Sequence, residues 1–138
     1  MMKALLAVLA WLALAACAGM SASGSSKVSL KLTGAEEVPP VSVPGSGSGS
    51  FTIGADGSVT GSVATAGVQG TMAHIHLGAR GKNGPVIIPL TKNGDSYSAP
   101  QGAKLSDAQM QAFKAGNLYV NVHTAQNKGG EVRAQLQP

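Results

Sequence analysis

The chain has 138 residues, ten of them basic and six acidic, for a formal net charge of +4. The basic residues are scattered, and no arginine-rich stripe or aromatic stacking platform accompanies them, which argues against a nucleic-acid partner. A single cysteine rules out an internal disulfide.

Residues 1–16 read as an export signal. Lys3 supplies a positive start, and residues 4–16 form an apolar run too short to span a bilayer as a helix. Small residues close the run, as a cleavage site requires. The stretch Leu14-Ala15-Ala16-Cys17 resembles the lipobox of bacterial lipoproteins. That resemblance implies cleavage before Cys17, acylation of its thiol and a lipid anchor in the cell envelope. An ordinary signal peptide beside a chance cysteine is the alternative. Ala18 follows the cysteine where an Asp would otherwise stand; by analogy with Gram-negative lipoproteins, this points to the outer membrane. Residues 17–26 are small and polar and form a flexible tether. Residues 27–138 remain, roughly the size of one domain with one core.

That domain reads as all-β. Short Val/Ile/Leu/Thr runs are separated by turn signals at a spacing of about ten residues, the pattern of a sandwich or barrel. Residues 27–33 alternate, with Val28, Leu30 and Leu32 on one face. Residues 49–53 and 58–65 flank Gly54-Ala55-Asp56-Gly57, a hairpin turn. Residues 86–90 and 96–98 flank Lys92-Asn93-Gly94, where Asn-Gly is a strong turn signal. Ser106 and Gln109 form a capping box that starts one short helix over residues 107–115, with Leu105 and Met110 as its staple and Gly116 as its stop. The strands at 71–77 and 118–123 and a last strand at 131–136 bring the total to about eight.

All three histidines lie on two of these strands. Residues two apart on a strand share a face, so His74 and His76 point one way while Ala73, Ile75 and Leu77 point into the core. In the second strand Leu118, Val120 and Val122 take the core face, and Tyr119, Asn121 and His123 the other. If the strands are neighbours, every imidazole of the protein meets on one side of a sheet. Three neutral imidazoles are a ligand set for copper or zinc. A lone histidine on a strand is ordinarily a hydrogen-bonded group, but the convergence of all three points to a metal. Met72 shares the face of His74 and is either packing or a soft ligand. Tyr119 and Asn121 are either partners that fix an imidazole tautomer or exposed side chains. Glu36 and Glu37, before Pro39-Pro40, read as a solvated acidic pair, and Glu131 and Arg133 as a pair sharing one face of a strand. The glycine-rich run 78–84 lacks the features of a phosphate-binding loop and reads as a loop rimming the histidine face.

Three motifs carry a family resemblance. They are Leu32-Thr33-Gly34-Ala35-Glu36-Glu37-Val38-Pro39-Pro40-Val41; Ala73-His74-Ile75-His76-Leu77-Gly78 with the following Gly81-Lys82-Asn83-Gly84-Pro85-Val86; and Tyr119-Val120-Asn121-Val122-His123-Thr124 with Gly129-Gly130-Glu131-Val132-Arg133. In order and spacing they resemble the CHRD domain family, which implies a domain type and not a settled activity. A second resemblance is to the copper–zinc superoxide dismutases. It rests on the order of His74, His76, His123, Gly129-Gly130 and Arg133. It implies a Greek-key β-sandwich or barrel, copper held by His74, His76 and His123, and Arg133 steering an anion such as superoxide. The chain departs from those enzymes in lacking a bridging histidine, a zinc cluster and a disulfide, so the resemblance implies a copper-only site. Three uses compete: a copper centre that turns over superoxide, a copper buffer or delivery protein without turnover, and a metal-free interaction module.

Overall fold

The computed structural model describes residues 24–138. The expected signal at 1–16, Cys17 and residues 18–23 of the expected tether lie outside the described residues. Among the described residues nine strands form one antiparallel sheet. They are β1 (Ser26–Thr33), β2 (Ser46–Ile53), β3 (Val59–Ala66), β4 (Gly70–Leu77), β5 (Val86–Pro89), β6 (Thr91–Asn93), β7 (Ser96–Ser98), β8 (Leu118–Thr124) and β9 (Val132–Leu136). Their order is β5-β4-β8-β9-β1-β2-β3-β7-β6. The two edge strands, β5 and β6, are consecutive in the chain. Leu90 joins them and donates its N–H to the Ala73 carbonyl of β4 at 2.9 Å. The sheet therefore curls into a nearly closed barrel, in agreement with the expected sandwich or barrel and with one strand more than the expected eight.

The extra strand comes from a pairing that the sequence pattern concealed. Asn93-Gly94 does make a hairpin, and Gly94 sits at φ 60°, but it joins β7 to the short β6. Residues 86–89 pair instead with β4. Pro89 lacks an amide donor and ends β5, after which the chain passes to the opposite sheet edge. The other local readings match the structure. Gly57 adopts φ 86° in the β2–β3 turn, where Asp56 accepts the Ser58 N–H at 3.0 Å. Helix α1 (Asp107–Lys114) starts at Ser106 with both arms of the capping box in place.

The barrel interior is apolar. Leu32, Phe51, Ile75, Val120 and Leu136 are fully enclosed, and Phe113 of α1 packs onto the same core. Each such side chain contributes about 1.5–3 kcal/mol by leaving water. Leu77, expected on the core face with Ala73 and Ile75, is 36% exposed instead. It is the last residue of β4, where its N–H reaches the Pro85 carbonyl at the barrel rim, beyond the core.

Strand β8 is buried on both faces over its whole length. Leu118, Val120 and Val122 face the barrel core as expected. The opposite face, carrying Tyr119, Asn121 and His123, is not open to solvent. Loops after β1, β4 and β8 fold over it and form a second, polar layer outside the barrel wall. Tyr119 and Asn121 are each 2% exposed for this reason.

Candidate metal centre

Strands β4 and β8 are hydrogen-bonded neighbours, and their register sets the site. Met72 lies opposite His123, His74 opposite Asn121, and His76 opposite Tyr119. The three imidazoles meet on the outer side of the barrel wall, with ring centroids 4.8–5.8 Å apart. One nitrogen from each lies within 4.8 Å of the others. This is the only group of three or more His, Cys, Asp or Glu side chains so arranged among the described residues.

Hydrogen bonds decide which nitrogens are available. His76 donates from Nδ1 to the Gly84 carbonyl at 2.9 Å, and His123 from Nδ1 to the Lys128 carbonyl at 2.7 Å. A carbonyl only accepts, so both protons sit on Nδ1 and both Nε2 atoms present a lone pair. His123 Nε2 lies 3.0 Å from His74 Nδ1, which donates to it in the metal-free protein. Among the described residues His76 Nε2 is buried without any partner. Such an atom costs about 1–3 kcal/mol unless something binds it. A cation held by His76 Nε2, His123 Nε2 and, once its proton has moved to Nε2, His74 Nδ1 would supply that partner. Two of these nitrogens, His74 Nδ1 and His123 Nε2, already stand 3.0 Å apart, about the spacing of neighbouring ligands on one ion at about 2.0–2.1 Å.

The protonation states favour such a cation. Burial, followed by the neighbouring His123 and His76, lowers the pKa of His74 to about 4. Burial likewise lowers that of His76, against the opposing Gly84 hydrogen bond. Both rings are neutral at pH 7, as metal binding needs. His76 and His123 are 6% and 8% exposed, so solvent reaches the cluster mainly past the half-buried His74. Met72, 51% exposed, borders that opening.

Two loops carry the carbonyls that fix the tautomers, and glycine lets them approach. A Cβ on Gly84 would stand 1.7 Å from the Leu77 carbonyl oxygen, and one on Gly130 2.4 Å from both Asn121 Nδ2 and Glu37 Oε1. The loop at 126–130 is held by Glu131, whose Oε1 accepts from Thr124 at 3.0 Å and Asn127 at 2.9 Å. Glu131 is thus engaged in its own loop and not with Arg133.

Arg133 is 1% exposed. Its guanidinium stacks 3.4 Å from the Tyr119 ring centroid and donates to the carbonyls of Ala79 and Lys82 and to Asn83 Oδ1. Tyr119 in turn stacks on His76, with centroids 4.6 Å apart and planes 5° from parallel. Arg133 therefore locks the 78–84 loop over the site and adds positive charge from behind it. The exposed Arg80 of that loop pairs with Glu36, a surface contact worth at most about 1 kcal/mol.

Glu37 was missed by sequence reasoning. Expected to be solvated, it is 3% exposed, because the 3-10 turn at Gly34–Glu36 tucks it under the β8 face. Burial raises its pKa from 4.5 to about 7, against the opposing effects of Arg133, Asn121 and the Val38 amide. The one available signal was its position within the first of the three motifs.

A family model for the CHRD domain matches residues 28–136. The chain belongs to the CHRD domain family. No curated protein and no solved structure matches the chain.

The buried Glu37 makes a stability prediction for the metal-free protein. Its folded pKa lies above the unfolded one, so its neutral form stabilises the fold below about pH 4.5, and this contribution is lost as pH rises through about 7. The histidines act oppositely: their lowered pKa values give stability above pH 6.5 that is lost in acid. Relative to the parent protein, Glu37→Gln therefore gains stability as pH rises from 4.5 to 7. Urea unfolding across that range measures it, and a pH-independent difference between the two proteins would contradict the assignment.

Proposed function

We propose that this is an exported, lipid-anchored envelope protein that binds one copper ion through His74, His76 and His123. The observation that carries the reading is the convergence of three imidazoles, two of them with free nitrogens selected by loop carbonyls and one of those nitrogens buried and unpartnered. Copper(II) exceeds zinc on imidazole ligands in the usual affinity order. Bound copper would supply a one-electron redox couple, the chemistry that superoxide disproportionation needs.

The protein's own part is to hold and expose the site. His76 and His123 are clamped from behind, so their lone pairs are aimed before any ion arrives. The half-buried His74 stands on the accessible side, where a small anion can enter. Arg133, with Arg80 and Lys82 on the covering loop, biases the potential toward anions. This supports a superoxide dismutase-like activity and the loose resemblance of the ligand order to the copper–zinc enzymes. A second reading, copper buffering or delivery without turnover, is favoured by the burial of two of the three ligands. The Leu14-Ala15-Ala16-Cys17 motif supports anchoring through Cys17, in the outer membrane by the residue that follows.

Dialysis against copper should leave one copper per chain, and His123→Ala should weaken binding by more than about a hundredfold, beyond the 10–100-fold typical of outer partners. Superoxide decay should accelerate with the copper-loaded protein; a loss of less than tenfold in His123→Ala would count against turnover at this site, and tight copper with no acceleration would select the buffering reading. No bound copper at all would leave the metal-free interaction module. Palmitate labelling in cells should vanish in Cys17→Ser; persistence of label would remove the anchor.

A further inference from the structure

Three of the four buried side-chain atoms without a hydrogen-bond partner among the described residues belong to one cluster: His76 Nε2, Asn121 Oδ1 and Glu37 Oε1. Asn121 lies between the other two. It stands opposite His74 on β4 and opposite Arg133 on β9, so its side chain shares the histidine face. Its Nδ2 donates to the Gly129 carbonyl at 3.3 Å, which turns the NH2 end toward the 129–130 loop. Glu37 Oε1 approaches the same point, since both atoms lie 2.4 Å from where a Gly130 Cβ would be. The amide oxygen is left buried and without a partner.

The result is two lone pairs, on His76 Nε2 and Asn121 Oδ1, buried on the same face of the sheet and each without a donor. A pair of acceptors so placed calls for a cation. We propose that Asn121 is a fourth ligand residue of the centre, its amide oxygen presented to the ion held by the three histidines and kept in that orientation by the buried carboxyl of Glu37. This rests on the three-histidine reading of the site. The arrangement parallels the carboxylate–histidine pairs that orient metal-binding rings, with an amide in place of the imidazole. Glu37 is a positioning residue: its carboxyl lies beside Gly130 on the amide-nitrogen side of Asn121, and not on the ion. An oxygen donor beside three nitrogens also hardens the site, which favours copper(II) over copper(I).

Copper(II) affinity by competition with a chelator, and the electron paramagnetic resonance spectrum of the copper(II) protein, test this in the full-length chain. Asn121→Ala should lower affinity about 10–100-fold and shift the spectrum toward pure nitrogen coordination, with the echo-modulation signal of three imidazoles retained. Glu37→Gln should give a smaller loss, about 3–10-fold, with a spectral change in the same direction; it answers the question should Asn121→Ala not fold. Asn121→Asp, which keeps an oxygen, should restore most of the affinity. A copper site with three imidazoles in the parent protein, unchanged in affinity and spectrum by Asn121→Ala or, in its absence, by Glu37→Gln, overturns the assignment of Asn121 and leaves the histidine site standing. No copper in the parent protein overturns both.

Discussion

The register between β4 and β8 is the constraint on which the site depends. With His74 opposite Asn121 and His76 opposite Tyr119, all three imidazoles fall on the outer side of the barrel wall. A slip by one residue on either strand would carry its histidines into the apolar interior, because strand side chains alternate with a period of two. The inner face prevents that slip. Ala73 and Ile75 on β4, with Val120 and Val122 on β8, are between 0% and 1% exposed, and no polar side chain can take their places without being buried unpaired. The hydrophobic core therefore determines where the histidines stand, although it touches none of their free nitrogens.

The outer face is a small polar core with its own logic. Its members are satisfied by backbone groups of covering loops more often than by one another. His76 and His123 use the carbonyls of Gly84 and Lys128, Gln135 those of Gly78 and Gly116, and Arg133 those of Ala79 and Lys82. Each hydrogen bond to a charged group is worth about 1.5–3 kcal/mol, and the Tyr119 face adds a cation–π contact to the guanidinium. A buried arginine is thus held without a salt bridge, and the loops become part of the site's rigid frame. The exceptions to this satisfaction gather around the imidazole nitrogens, which is where a ligand is expected to complete the bonding.

Much of this was legible in the amino-acid sequence. Alternation alone placed His74 and His76 on one face and Val120 and Val122 on the other. Turn chemistry located the β2–β3 hairpin, and the capping box located α1. Membership of the CHRD family follows from the motifs and from the family match over residues 28–136. What escaped were features set by distant segments. Period-two alternation says which residues share a face, but not what covers that face, so Tyr119 and Asn121 were open between exposure and a structural role. Glu37 read as solvated because its neighbours Glu36, Pro39 and Pro40 are polar or turn-forming; only the docking of the post-β1 loop against β8 buries it. Leu77 obeyed the alternation but sits at the strand end, where the core has run out. The short β6 carries Thr91-Lys92-Asn93, with no apolar signal, and forms because the Asn93-Gly94 turn folds it onto β7.

The central claim is that three imidazole nitrogens outside the barrel wall, two of their rings fixed by backbone carbonyls, converge on one ion. X-ray absorption at the copper edge of the copper-loaded protein tests it most directly. Three imidazole rings, recognised by their multiple-scattering pattern, within a shell of nitrogen and oxygen scatterers at about 2.0 Å, is the expected result. A copper environment with one imidazole or none would contradict it, since the ion would then lie elsewhere and the histidine cluster would be a hydrogen-bonded part of the polar layer.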